Sequence, residues 1–206
     1  MRIVCISDTH NQLAKLAIPP GDLLIHAGDL TGHGSLKEIA RADRALGELP
    51  HRHKVIIAGN HDWGFQREPA AARALIKSAI YLQDEAVTIE GLRLYGSPWQ
   101  PWFFDWAFNY PRGVSLQPIW DRIPEPTDIL ITHGPPRGHG DRTVRDEPVG
   151  CPELLLALRR VRPRLHVFGH IHEGYGVTQE GSTTCVNASS CTVDYEPTNP
   201  PLVVDL

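Results

Sequence analysis

The chain has 206 residues, 41% of them hydrophobic and 21% charged. That composition excludes a disordered chain and suits one folded domain spanning 1–206. The net charge is −4, from 20 basic and 24 acidic residues, with lysine only at Lys15, Lys37, Lys54 and Lys77; no long nucleic acid is expected as a partner. No apolar run approaches the roughly 20 residues that cross a bilayer, and Met1–Ser7 lacks the features of a signal peptide, so no membrane partner is expected. Cys5, Cys151, Cys185 and Cys191 form no C-x-x-C pair and read as reduced thiols of a cytoplasmic protein.

Taken in chain order, Arg2–Ser7, Leu23–Ala27 and Lys54–Ala58 are apolar runs of strand length. Ser35–Leu49 is expected to be helical. Ser35 and Glu38 have capping-box spacing, Leu36, Ile39, Leu46 and Leu49 share a face, and Pro50 ends the pattern. A second helix fits Pro69–Ile80, with Ala72, Leu75, Ile76 and Ala79 in helical register. Val87–Ile89 and Leu92–Leu94 flank Glu90-Gly91 as a hairpin. Asp128–Thr132 is a strand, Pro152–Arg162 a helix and Leu165–Phe168 a strand, followed by a hairpin turning at Glu180-Gly181 and a last strand at Leu202–Val204. Alternating strands and helices predict an α/β fold with a mainly parallel core and added antiparallel strands.

The informative feature lies at the C-terminal end of each buried strand. The first runs into Asp8-Thr9-His10 and the second into Gly28-Asp29. The third meets Gly59-Asn60-His61-Asp62, the fourth His133-Gly134-Pro135-Pro136, and the fifth Gly169-His170-Ile171-His172. In an open α/β sheet these ends gather along one edge, where ligands bind. D-x-H and H-x-H spacings put alternate side chains on one side of an extended chain. The set Asp8, His10, Asp29, Asn60, His133, His170 and His172 offers nitrogen and oxygen without thiolate. Such ligands suit Mn, Fe, Mg or Zn. These are too many ligands for one tetrahedral ion, but a bridging carboxylate lets two ions share them. Two divalent ions would outweigh the charges of Asp8 and Asp29, leaving a positive pocket for an anion such as phosphate. Elsewhere, His51 and His53 are expected to face solvent, His26 to be partly buried and His166 to fill a strand.

These five motifs, in this order, resemble the calcineurin-like metallophosphoesterases. Gly96–Pro101, Phe168–Gly176, Val186–Ser190 and Glu196–Pro201 further resemble the small metallophosphoesterase-domain phosphodiesterases. The resemblance implies a four-layer αββα sandwich with mixed sheets. It implies a first metal held by Asp8, His10, Asp29 and His172, and a second held by Asp29, Asn60, His133 and His170. His61 matches the catalytic histidine. The implied cofactors are two divalent ions, manganese first, with Fe, Mg, Co, Ni or Zn as alternatives. Some animal relatives of the narrower group carry Gly at the position of His170.

The expected activity is hydrolysis of a small phosphodiester, with (cyclic) nucleotides suggested by the resemblance. A metal-bridging hydroxide would attack phosphorus in line while His61 protonates the leaving oxygen or stabilises the charge growing there. The rivals are a phosphomonoesterase or nuclease at the same site, and a non-catalytic interaction module. For substrate contacts, Arg137, Arg142, Arg145 and His139 come after the His133 ligand in one loop, and His33 lies in another. Trp99 and Trp102 head a stretch of seven aromatic rings in twelve residues, Trp99–Tyr110, expected to be an irregular loop with a base-stacking platform. The chain is compatible with either a monomer or a homodimer.

Overall fold

The near-continuous apolar runs of the sequence become strands covered on both faces. A computed structural model describes residues 1–113 and 115–206. The parallel strands β1 (Arg2–Ile6), β2 (Leu23–His26), β3 (His53–Ile56) and β4 (Ile80–Tyr81) form one sheet in that order. A second sheet contains β5 (Glu85–Ile89), β6 (Leu92–Ser97), β9 (Ile129–Thr132), β10 (Leu165–Phe168), β11 (Gly176–Glu180) and β12 (Thr183–Asn187). Its order is β11-β12-β10-β9-β6-β5, parallel at the centre and closed by an antiparallel strand at either edge. The last strand, β13 (Leu202–Asp205), pairs antiparallel with β1 at the edge of the first sheet.

Alternation along the strands divides the interior into three apolar clusters. Ile3, Cys5, Leu23, Ile25 and Val55 of the first sheet meet Ile129, Ile131, Leu165, Val167 and Val186 of the second. The opposite residues of the first sheet, Val4, Ile6, Leu24 and Ile56, pack on Ile39 and Leu46 of α1 (Leu36–Gly47), Phe65 of α2 (Trp63–Arg67) and Ala72 of α3 (Pro69–Leu75). On the far side, Leu130, Phe168 and Cys185 meet Trp120 of α4 (Gln117–Trp120) and Leu154 and Leu158 of α5 (Pro152–Val161). Helices, sheet, sheet and helices make the four layers of the expected sandwich. Truncating one of the central leucines or isoleucines to Ala would cost about 2–5 kcal/mol.

Local signals account for most boundaries. Both halves of the capping box form: Glu38 N donates to Ser35 Oγ (3.3 Å) and Ser35 N to Glu38 Oε2 (2.9 Å). The hairpin turn has φ of 47° at Glu90 and 84° at Gly91, the positive pair that matches strand twist. The helix expected over Pro69–Ile80 stops at Leu75. Asp43 Oδ1 takes the Lys77 and Ser78 amides (2.9 and 2.8 Å) and releases the chain into β4. The aromatic stretch is not wholly irregular, because β7 (Gln100–Pro101) pairs parallel with β8 (Asn109–Tyr110). His51 does not face solvent. It is 3% exposed, its ring packed beside Gly21 and Val4. His53 is half-buried beside Glu90 (3.3 Å), and His26 is wholly buried. All four cysteines are buried and unpaired. Among the described residues, no helix is long and apolar enough to cross a membrane.

Candidate metal centre

Topology alone brings the five motifs together, because the parallel strands of both sheets leave at the same edge. Among the side chains of the expected ligands, His133 Nε2 and Asn60 Oδ1 approach to 2.9 Å. Asp29 Oδ2 lies 3.4 Å from His133 Nε2, 3.9 Å from His10 Nε2 and 4.0 Å from His61 Nε2. His172 Nε2 lies 3.5 Å from Asp8 Oδ1 and 3.4 Å from His10 Nε2. Three overlapping groups have ligand atoms within 4.8 Å of one another: Asp8–His10–His172, Asp8–Asp29–His133 and His10–Asp29–His61. Among the described residues Asp8 belongs to the first two, Asp29 to the last two, and His10 to the first and third. His170 lines the same cleft, its ring centroid 5.1 Å from that of His133.

The chemistry of this donor set fits divalent cations. His133 Nδ1 lies 2.9 Å from Ala27 O, His172 Nδ1 2.8 Å from Thr192 O, and His61 Nδ1 2.8 Å from Gly32 O. A carbonyl oxygen only accepts, so each Nδ1 carries the proton and each Nε2 lone pair is turned to the cluster. That pits the His133 lone pair against the Asn60 and Asp29 oxygens, a contact between acceptors that a proton or a cation must relieve. Protons can do so. Burial opposes the charged His133 and His172, but the Asp29 and Asp8 carboxylates beside them push both up to about 9. Burial would likewise raise Asp8 and Asp29, yet the surrounding histidines hold both below the ordinary carboxylate range. Burial, reinforced by His133, pulls His170 down to about 3. A divalent cation would supply the positive charge and displace the protons.

Backbone geometry sets the ligands. Asp8, His10, Asp29 and His170 have φ of 52°, 41°, 56° and 67°, a left-handed conformation that concentrates at functional sites. Glycine is required beside them at Gly59 and Gly169, where a Cβ would run into Asp29 and Asp8 respectively. Asp62 ties the loops from beneath. Its buried carboxylate accepts from Leu30 N (3.1 Å), Thr31 N (3.0 Å), Thr31 Oγ1 (2.6 Å) and Gly59 N (2.9 Å). Burial, then the charge of Asp29, pushes its carboxyl up to about 6.

Several residues escape sequence reasoning. Ser189 Oγ lies 2.8 Å from Asp8 Oδ2, and Asn187 Nδ2 donates to Ile171 O (2.8 Å), so the Val186–Ser190 motif braces two metal loops. Trp106 stacks on His61, with ring centroids 4.2 Å apart. Phe103 lies edge-on to His170 (5.3 Å) and Tyr195 edge-on to His10 (4.8 Å). For Phe103 and Trp106 the only sequence signal is aromatic density, and for Tyr195 there is none.

The four expected substrate contacts do not line this cleft. Trp99 Nε1 donates to Asp84 Oδ2 (2.8 Å), and its ring packs on Phe108, anchored in the apolar interior. Trp102 is 59% exposed outside the cleft, where its amide bonds Tyr110 O. His139 is tied to Thr178 Oγ1 (3.0 Å) and Glu180 Oε2 (3.1 Å). Arg137 donates to Pro148 O (3.0 Å) and borders a neighbouring depression with Arg142, reaching the cleft only through the shared Glu173.

The family model for calcineurin-like phosphoesterases matches residues 1–174. The chain is 50% identical over 230 residues to human metallophosphoesterase domain-containing protein 1, covering all of this chain and 71% of the relative. It is 39% identical over 228 residues to a UPF0046 protein of Caenorhabditis elegans, covering all of this chain and 81% of that one. Among solved structures, TT1561 of Thermus thermophilus superposes with a TM-score of 0.62 at 19% identity, over 90% of this chain and 88% of that one. An archaeal phosphodiesterase superposes with a TM-score of 0.51 at 16% identity, over 100% and 93% of the two chains. By sequence and fold, the chain belongs to the calcineurin-like metallophosphoesterase family.

Proposed function

We propose that the chain is a phosphodiesterase hydrolysing small phosphodiesters, cyclic and linear nucleotides among them. It would use two divalent ions, manganese first and Fe, Mg, Co, Ni or Zn as alternatives. The observation that carries this reading is the convergence of carbonyl-locked histidine nitrogens and two carboxylates on one small space. Asp8, His10, Asp29 and His172 would hold one ion; Asp29, Asn60, His133 and His170 would hold the other. Bound there, the ions would neutralise phosphate charge and lower the pKa of water.

The protein's own part is orientation and proton delivery. Gly32 O fixes His61 Nδ1–H, and the His61 amide donates to Asp29 Oδ1 (2.8 Å), so one residue is tied to both loop and ligand. Its Nε2 faces the cleft and, when protonated, can hand a proton to a departing oxygen. Trp106 against the ring face limits rotation. A cleft of about 190 Å³ on a chain of net charge −4 supports a small diester over long nucleic acid. Four unpaired buried thiols suit a reducing compartment, and we assign the reaction to the cytoplasm.

The test is a turnover screen of cyclic nucleotides, linear dinucleotides and monoesters with each metal in turn, repeated with His61→Ala. The variant should keep its metal and lose about 10²–10⁴-fold in turnover. The loss should shrink for nitrophenyl esters, whose leaving group needs no proton. No diester turnover with any metal would overturn the reading. A loss independent of leaving-group pKa would reassign His61 to positioning.

A further inference from the structure

Tyr195 lies beyond the part of the chain matched by the family model, which ends at residue 174, yet it stands in the cleft. Its ring centroid is 4.8 Å from His10, 5.5 Å from His172 and 6.2 Å from His61. The ring is held there by a tight turn. Tyr195 N donates to Thr192 O (2.9 Å), Thr192 N to Glu196 O (2.9 Å), and Gln12 Nε2 to Tyr195 O (2.8 Å). Thr192 O is also the acceptor that locks His172, so the turn that presents the ring is built into the metal centre. Phe103 borders the same cleft at the His170 side. Tyr195 is 47% exposed and Phe103 44%, an unusual outlay of apolar surface for residues tied so closely to charged groups. The two rings flank opposite ends of the ligand cluster.

We propose that the cleft bordered by Tyr195 and Phe103 is a slot for a planar aromatic group carried on the phosphoester, with Tyr195 a specificity-determining residue. The inference rests on the phosphoesterase reading of the metal centre. A phosphoryl group drawn to the histidine and carboxylate cluster leaves its substituent in the cleft that these rings border, where stacking on a ring favours a flat π-system over an alkyl chain. Two substituents share that chemistry: a nucleobase, set off from phosphorus by a sugar, and an aryl group joined directly through oxygen.

Equilibrium binding to the manganese-loaded protein tests this without turnover. The probes are adenosine monophosphate and phenyl phosphate, with methyl phosphate and inorganic phosphate as ringless references. Tyr195→Asn removes the ring while keeping a residue type that tolerates the φ of 59° found there. It should weaken one or both aromatic ligands by about 5–150-fold and leave both references within twofold. Loss for adenosine monophosphate alone identifies the nucleobase as the occupant, and loss for phenyl phosphate identifies the aryl group. Tyr195→Phe should bind like the wild type, and Phe103→Ala should reproduce the selective loss. A parallel loss of inorganic phosphate in both ring-removing variants, or unchanged aromatic binding, overturns the proposal. If the wild type hydrolyses no diester but the binding pattern holds, the phosphodiesterase reading fails and the slot stands.

Discussion

Asp62 gives the sharpest test of how the loops are held, because its contribution can be counted atom by atom. Its carboxylate is wholly buried and accepts three backbone amides and one hydroxyl. Asp62→Ala strands the amides of Leu30, Thr31 and Gly59 in the interior, at roughly 1–3 kcal/mol for each unpaired donor. The expected loss is therefore about 3–9 kcal/mol, against a usual total of about 5–15. Asp62→Asn discriminates further. One amide oxygen can still serve both Thr31 donors, but its NH2 then confronts the Leu30 and Gly59 amides, so about 2–6 kcal/mol should be lost. Leu30 is next to Asp29, and Gly59 precedes Asn60, so the same variants should weaken metal retention in chelator competition. Urea unfolding in excess chelator isolates the fold term from metal linkage. An Asp62→Ala protein within 1 kcal/mol of wild type would refute the reasoning, since it would mean that water or a loop shift satisfies all three donors.

Further expectations concern the metals and pH. Asp29→Ala should lower occupancy of both ions while His10→Ala mainly affects one; elemental analysis finding two metals per chain in Asp29→Ala would sink the bridge. Loading metal at a hundred times its dissociation constant should stabilise the fold by about 2.7 kcal/mol for each ion bound, so a melting temperature indifferent to chelator argues against a metal centre. His166 is buried in β10 with Nε2 2.8 Å from Thr132 Oγ1, and burial holds it neutral down to about 3. Only the unfolded chain takes up that proton near pH 6.5. The resulting stability is complete above that pH and declines as pH falls toward 3, by roughly 1.4 kcal/mol per unit. His166→Gln abolishes this term, so wild type and variant should show urea midpoints that diverge between pH 6 and 4 in the direction of greater wild-type loss; parallel midpoints would contradict the assignment.

The ligand motifs were legible because each is local: a buried run, then a lone-pair donor within three residues. Parallel pairing in both sheets does the rest. The supporting contacts were not legible, since they join residues far apart in sequence. Ser189 meets Asp8 across 181 positions and Thr192 meets His172 across 20. Aromatic density pointed to Trp99–Tyr110, but density does not say which rings turn outward. Trp99 was claimed by Asp84, while Phe103 reached the cleft and Trp106 stacked on His61. The second helix ends early for a similar reason. Its periodicity runs to Ala79, but Asp43 offers the Lys77 and Ser78 amides a better partner than another helical turn.

The left-handed backbone at Asp8, His10, Asp29 and His170 restricts which amino acids can ever occupy those positions. On the proposed metal assignment a resident there must donate a lone pair and also tolerate positive φ, and outside glycine only Asn, Asp and His combine the two readily. Glutamate would match aspartate as a ligand but not as a backbone, and cysteine, a ligand for softer metals, fits that backbone no better. The usable alphabet shrinks to three letters, plus a fourth that keeps the conformation and forfeits the metal. Glycine is that fourth letter. At His170 a single substitution to glycine could therefore disarm the centre and leave the loop as it was, a route by which catalytic and non-catalytic proteins of one fold can lie one residue apart.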